Sequence, residues 1–317
     1  MKRLYPILCN YYVTTRCNAR CVFCDIHRRP GVDANPADVE SNLRALARLG
    51  VRFVDFTGGE PLLHPQLPVF LAQAKRLKLR TTVTTNTLLY PQRAQDLAGK
   101  VDLLHFSLDA STAEDHDALR GVPCFERVMQ SLDLAQSLGE KPDLLFTLTD
   151  DNAHHLDALV KLAQTRRLML IINPVFAYFG NPGAGRELLD TARQAARQPY
   201  VYVNHGMLRL MGRGGNQTAR SRCRAVTTTV VIDPENRLLL PCYHQAVDRI
   251  PIQGQLEAVW QSEAVIRAQK MEGRHPFCQG CAISCYFDPS FTHTPDAFFW
   301  LSLGSKIKYA WDKYLRI

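Results

Sequence analysis

Phe53-Val54-Asp55-Phe56-Thr57-Gly58-Gly59-Glu60-Pro61 is the stretch on which the reading of this chain turns. Its first five residues are aromatic, β-branched or short, and read as a strand. Two glycines then let the backbone approach a ligand closely, and Glu60 supplies a carboxylate for a cationic group. Upstream, Tyr11-Tyr12-Val13 reads as the end of another strand, followed by Cys17-x3-Cys21-x2-Cys24. Between the two, Asn35-Pro36 opens a helix with Val39, Leu43, Leu46 and Leu49 at helical spacing, and Gly50 closes it. Downstream the alternation continues: a helix from Leu67 to Leu77, a strand over Thr81–Thr85, a short helix from Pro91 to Leu97 and a strand over Val101–Leu108. Helical patterns across Ala113–Leu119 and Phe125–Leu138, a strand over Leu144–Leu148, a helix around Leu156–Leu162 and a strand over Leu168–Ile172 complete it. Right-handed strand–helix steps of this kind predict an α/β fold, a partial (β/α)6 TIM-type barrel with a small C-terminal cysteine-rich α+β extension. A doubly wound open sheet shares the same periodicity. After Pro174 the pattern fails, and Gly180-Asn181-Pro182-Gly183 and Gly212 to Gly215 read as loops. The expected segments are a core over 1–205, a cysteine-bearing region over 206–290 and an aromatic, basic helix over 291–317.

Composition agrees with a large folded core. Of 317 residues, 46 % are hydrophobic and 21 % charged, which excludes disorder, collagen-like repeats and coiled coil. No apolar run reaches the ~18 to 20 residues of a spanning helix. The basic start Met1-Lys2-Arg3 is followed by too short an apolar stretch for a signal peptide. A cytoplasmic location is therefore expected, where ten cysteines are read as metal or cluster ligands before disulfides. The formal net charge of +8 is concentrated in three places, residues 16–30, 209–224 and 302–317. A diffuse basic surface would suggest nucleic acid; local patches ask for local causes.

Three cysteines this close, at the carboxyl end of a barrel strand, can hold one metal centre. Thiolates suit zinc, with His27 as a fourth ligand, or iron–sulfur. The Gly58-Gly59-Glu60 rim one strand away favours the second. Together the motifs resemble the radical S-adenosylmethionine (radical SAM) enzymes, over most of residues 10–175. The resemblance implies that Cys17, Cys21 and Cys24 are the catalytic ligands of a [4Fe–4S] cluster whose free iron chelates SAM. It places Phe23 near adenine, Gly58, Gly59 and Glu60 at the methionine amino group, and Asn86, Ser107 and Asp109 near ribose and carboxylate. Helix capping is the competing role for Ser107 and Asp109. Ser107 to Gly121, with His116 and Arg120-Gly121, also reads like members that carry auxiliary clusters.

Cys223-x18-Cys242 and Cys278-x2-Cys281-x3-Cys285 follow. Val230–Ile232 and Leu238–Leu240 form a hairpin pattern that brings Cys223 to Cys242, with Asn236 suited to a left-handed turn. Zinc is again an alternative. Together with Trp260-Gln261-Ser262, the region resembles twitch and SPASM extensions, which implies one auxiliary [4Fe–4S] cluster on Cys223, Cys242, Cys278 and Cys281. Cys285 is a substitute or a spare, while Cys9 and Cys124 read as packing residues. The arginines from Arg209 to Arg224 bind an anionic substrate or balance thiolate charge.

The tail interleaves Trp300, Ile307, Tyr309, Trp311 and Tyr314 with Lys306, Lys308, Lys313 and Arg316. It suits either a helix docked on the barrel or a peripheral membrane contact. Asn173 to Tyr178 and Gly215 to Thr218 resemble stretches of radical SAM enzymes that add adenosyl to hopanoid precursors. The expected activity is reductive cleavage of SAM and hydrogen abstraction from an unactivated carbon of a small-molecule or lipid-like substrate. The expected partner is a reducing electron donor such as flavodoxin or ferredoxin, and no nucleic acid. A ribosomal-peptide maturase is the alternative; a zinc-dependent nucleic-acid-binding protein is a distant one, since it leaves the Gly-Gly-Glu rim unexplained.

Overall fold

The computed structural model describes residues 6–178 and 180–316, so Met1-Lys2-Arg3 and the terminal Ile317 lie outside them. Strands β1 (Leu8–Thr14), β2 (Phe53–Gly58), β3 (Arg80–Thr85), β4 (Leu103–Ser107), β5 (Asp143–Leu148) and β6 (Leu170–Pro174) stand side by side in parallel. Between them run α1 (Pro36–Arg48), α2 (Leu67–Arg76), α3 (Tyr90–Leu97), α4 (Ala113–Arg120), α5 (Phe125–Ser137) and α6 (Leu156–Arg166). The Asn35 side chain caps α1, accepting from the Ala37 amide, with Pro36 at the first helical position.

The strands alternate with period two. Val54, Phe56, Val83, Leu104, Phe106, Leu144, Phe146, Leu170 and Ile172 are fully buried in one core with the helix residues Leu43, Leu46, Leu71 and Leu132. The intervening residues are only half-buried and face the other, concave side.

The alternation does not end at Pro174, as the sequence pattern suggested. A further helix, α7 (Arg186–Ala195), and a short strand, β7 (Val201–Tyr202), add one more step at the sheet edge. A glycine- and proline-containing loop precedes α7, and its buried face is only Leu188, Leu189, Ala192 and Ala195, which hid it. Next come α8 (His205–Met211), the turn α9 (Ala225–Thr228), β8 (Thr229–Ile232), β9 (Arg237–Leu240) and β10 (Asp248–Pro251). Strand β8 pairs in parallel with β1, and β9 and β10 continue antiparallel. Asn236 takes the left-handed conformation in the β8–β9 turn, with φ of 59°. The result is one ten-stranded sheet, β10-β9-β8-β1-β2-β3-β4-β5-β6-β7, open rather than closed. Helices α10 (Leu256–Trp260), α11 (Glu263–Met271), α12 (Ser284–Ser290) and α13 (Ala297–Ala310) complete the chain.

Helix α13 and the turn after it dock on the β7 side. Lys308 donates to the carbonyls of Gln198 and Val201 at 2.9 Å each, and Tyr309 packs edge-on against Tyr202. Each tail base meets an acid of this chain: Lys306 meets Asp288, Lys308 and Arg316 meet Asp312, and Lys313 meets Asp143 at 2.6 Å. Trp300, Ile307, Trp311 and Tyr314 stay exposed in one stripe. No helix among the described residues is long and apolar enough to cross a membrane.

Asp143 is fully buried at the start of β5, with Tyr309 also donating to it at 2.6 Å. Burial works against its charge, but His105 and Lys313 outweigh it and hold the carboxyl below its usual range. Replacing Lys313 by Met strands that carboxylate, and urea unfolding should show a loss of about 3 kcal/mol. A depressed carboxyl stabilises above its unfolded pKa and loses that contribution as pH falls through the folded one. The stability gap between wild type and Asp143→Asn should therefore be constant near neutrality and shrink in acid.

Candidate active site

The rim between β1 and β2 is built on a near-zero clearance. The Gly59 amide donates to the Thr14 carbonyl at 2.9 Å and the Glu60 amide to the Arg16 carbonyl at 2.8 Å. A side chain on Gly58, which has φ of +143°, would lie 2.0 Å from the Thr14 oxygen, and one on Gly59 would lie 2.1 Å from the Arg16 oxygen. The glycines thus serve first to let the Glu60 strand end press against the start of the cysteine loop, rather than to admit a ligand.

Glu60 is buried and held on both oxygens. Thr85 donates to one at 2.8 Å, and the Asn86 amide donates to the other at 2.8 Å. Burial pushes its carboxyl up to about 7 against these bonds. Asn86 also reaches across to Asn18, inside the cysteine loop, at 2.8 Å. Carboxylate, third-strand end and cysteine loop are therefore one bonded unit.

The far side of the loop is gripped by α4. The Arg20 amide donates to the Arg120 carbonyl at 2.9 Å and the Val22 amide to Leu119 at 3.0 Å. The Arg120 side chain is buried, ion-paired with Asp109, 3.6 Å from the Cys21 sulfur and 5.5 Å above the Phe23 ring. Burial opposes its charge, while Asp109 and Cys21 favour it and prevail. Asp109 is not a helix cap, since Thr112 caps α4; it also accepts from the Thr147 amide at 2.8 Å. His116 is fully buried and accepts from the Asp109 amide, and burial with Arg120 nearby takes it down to about 3, so it is neutral. Ser107 lies buried at the end of β4. Sequence reasoning named Arg120 only within a motif; its role as the link between Asp109, Cys21 and Phe23 emerges from the fold.

The five later cysteines converge. Burial raises the Cys242 thiol to about 12, with Cys281 and Cys278 adding to it, and Cys285 is raised by burial, Cys242 and Asp55. Asn216 ties their loops together from a buried position. It donates to the carbonyls of Gly273 (2.7 Å) and Cys278 (3.1 Å), and accepts from Ser221 and the Arg222 amide. That bonding accounts for Asn216 structurally. Cys9 and Cys124 are buried. Tyr243, next to Cys242, stacks on Tyr12 of β1 with ring centroids 3.7 Å apart and accepts from Arg29 at 2.9 Å. This contact runs from the second cysteine set to the first cysteine loop, and no sequence motif marked it.

A tetrahedral zinc with sulfur ligands near 2.3 Å holds them ~3.8 Å apart. Among the described residues, Asp115, His154 and His155 form the group of three ligand atoms within 4.8 Å of one another, and neither cysteine set does. Thiolates in sets of three and five are matching donors for iron–sulfur clusters. His27 adds no ligand to the first set by the same measure.

The concave face below the rim carries Asp55, Thr57, Thr82, Thr84, His105, Thr147 and Asn173, with Leu103, Leu145 and Ile171. Burial raises Asp55 to about 6, countered by His105. Most of this lining bears hydrogen-bonding groups.

Known proteins resemble this chain in sequence or fold. The AdoMet-dependent heme synthase of Nitratidesulfovibrio vulgaris is 30% identical over 158 residues, 48% of this chain and 43% of that protein. A probable GTP 3',8-cyclase of Methanosarcina acetivorans is 28% identical over 191 residues, 56% of this chain and 57% of that protein. The chain thus spans about half the length of these curated relatives. Among solved structures, anSMEcpe with bound AdoMet and Kp18Cys peptide superposes with a TM-score of 0.65 at 16% identity, covering 96% of this chain and 97% of that one. That likeness shows the fold, including the region after Pro174. Residues 11–163, which hold the first cysteine loop, the Gly-Gly-Glu rim, Asn86 and the Asp109–Arg120 pair, match the sequence model of the radical SAM superfamily, and this stretch of the chain is a radical SAM domain.

Proposed function

We propose that this enzyme reductively cleaves SAM and abstracts hydrogen from an unactivated carbon of a polar organic substrate held on the concave face of the barrel. The observation that carries it is the bonded unit of cysteine loop, Asn86 and Glu60, which sets a buried carboxylate near the Cys17 thiol, itself in reach of Cys21 and Cys24. Cys17, Cys21 and Cys24 would hold the first [4Fe–4S] cluster. When bound, that cluster supplies one electron to SAM, whose sulfur–carbon bond breaks to leave methionine and a 5′-deoxyadenosyl radical.

The chain's own residues bind and orient. Glu60 accepts the methionine ammonium in a site where burial strengthens the attraction. Phe23, fixed under Arg120, offers a face to adenine, while Asn86, Ser107 and Asp109 line the approach of ribose and carboxylate. Cys223, Cys242, Cys278 and Cys281 would hold one auxiliary cluster, with Cys285 the spare thiol on the Asp55 side. In this reading 1–205 is the core, 206–290 the auxiliary region and 291–317 the docked helix.

The polar lining favours a substrate rich in hydrogen-bonding groups over a lipid-like one. A peptide meets the same lining, so a maturase is the second reading. The exposed Trp300–Tyr314 stripe supports a peripheral membrane contact, but internal pairing of the tail bases removes its electrostatic half. A one-electron donor of the flavodoxin or ferredoxin type would supply the reductant.

Anaerobic reconstitution with iron and sulfide, followed by reduction with SAM, should yield about eight irons per chain and 5′-deoxyadenosine. Full cleavage by Cys24→Ala would overturn the reading. Glu60→Gln should weaken SAM binding about ten- to hundredfold, measured by equilibrium dialysis on reconstituted protein; unchanged affinity would remove Glu60 from the site. Asn216→Ala should lose about four irons while the SAM-binding cluster signal persists in electron paramagnetic resonance.

A further inference from the structure

A cavity of about 310 Å³ lies in the auxiliary region and shares no lining residue with the Cys17–Glu60 rim. Four guanidinium side chains line it, from Arg220, Arg222, Arg224 and Arg274, with the hydroxyl of Ser290 and a single carboxylate, Asp296. Arg222 pairs with Asp296, and Arg224 leans toward Glu272 at 3.8 Å and the Cys223 carbonyl at 3.0 Å. Among the described residues, Arg220 and Arg274 form no ion pair.

Such a cluster has two explanations, compensation of thiolate charge or capture of an anion. Arg224 donates to the backbone carbonyls of Ser221 and Cys223, and among the described residues no arginine donates to any of the five nearby thiols. At the first cysteine loop the reverse holds, since the Arg120 side chain lies 3.6 Å from the Cys21 sulfur. Arg222 and Arg224 flank Cys223 in sequence, yet their side chains turn to the cavity while the Cys223 thiol is buried among the other cysteines.

We propose that this cavity binds a diphosphate-sized oxyanion, and that Asp296 occupies part of the site in the free protein. Four guanidiniums less Asp296 in the cavity and Glu272 behind Arg224 leave about two positive charges, rising to about three when Asp296 is displaced, which match a diphosphate better than a single phosphate, and guanidinium forks suit phosphate oxygens. The site goes beyond the reaction proposed above and stands without it.

The test is anaerobic calorimetric titration of the cluster-loaded chain with inorganic pyrophosphate, and separately with inorganic phosphate. One pyrophosphate per chain should bind, more tightly than phosphate. The double variant Arg220→Ala/Arg274→Ala breaks no internal ion pair and should bind about ten- to hundredfold more weakly, at unchanged iron content. Asp296 caps α13 through its other oxygen, accepting from the amides of Phe298 and Phe299. Asp296→Asn keeps that cap while removing the competing charge, so it should bind pyrophosphate more tightly than wild type. A merely structural cluster predicts no such gain. No pyrophosphate binding by wild type and Asp296→Asn, equal binding by the double arginine variant, or no preference over phosphate would overturn the proposal.

Discussion

Everything at the active rim depends on how closely two backbones lie. The Thr14 and Arg16 carbonyls leave no space for a β-carbon on Gly58 or Gly59, so the cysteine loop cannot drift from the strand that carries Glu60. This explains why the pair of glycines precedes the carboxylate immediately. A residue or two of slack would let Glu60 rotate away from the thiols, and the parallel sheet alone could not restore the alignment. On the opposite flank, α4 holds the same loop through the Arg20 and Val22 amides, so both sides of the cysteine loop are fixed before any cofactor arrives.

The fold was largely legible because strand and helix periods are strong where one face is buried. Val54, Phe56, Val83 and Leu104 alternate with polar residues, and that alternation is the barrel wall itself. It became illegible at α7 and β7, where alanines replace large apolar residues and the strand is two residues long. Short edge elements are held by neighbours rather than by their own pattern.

The site divides in the same way. Residues whose function follows from type and spacing, the cysteines and Glu60, stood out in the sequence. The contacts that reach across the fold did not: Asn86 to Asn18, Arg120 to Asp109 and Cys21, Tyr243 to Tyr12 and Arg29. Each joins segments far apart in the chain, and no local window contains both partners. The basic tail shows the converse, since lysines that in sequence suit either docking or a membrane surface are paired within the fold.

An open sheet has two edges, each a row of unpaired backbone groups ready to accept a foreign strand. At β10 the edge bears exposed Asp248 and Arg249 and ends in Pro251. At β7 the Val201 carbonyl is already taken by the Lys308 ammonium, and Tyr309 lies across Tyr202. The docked helix therefore does for this half-barrel what closure does for a complete one. It covers the β7 edge against strand pairing by a neighbouring molecule and leaves the concave side open for chemistry.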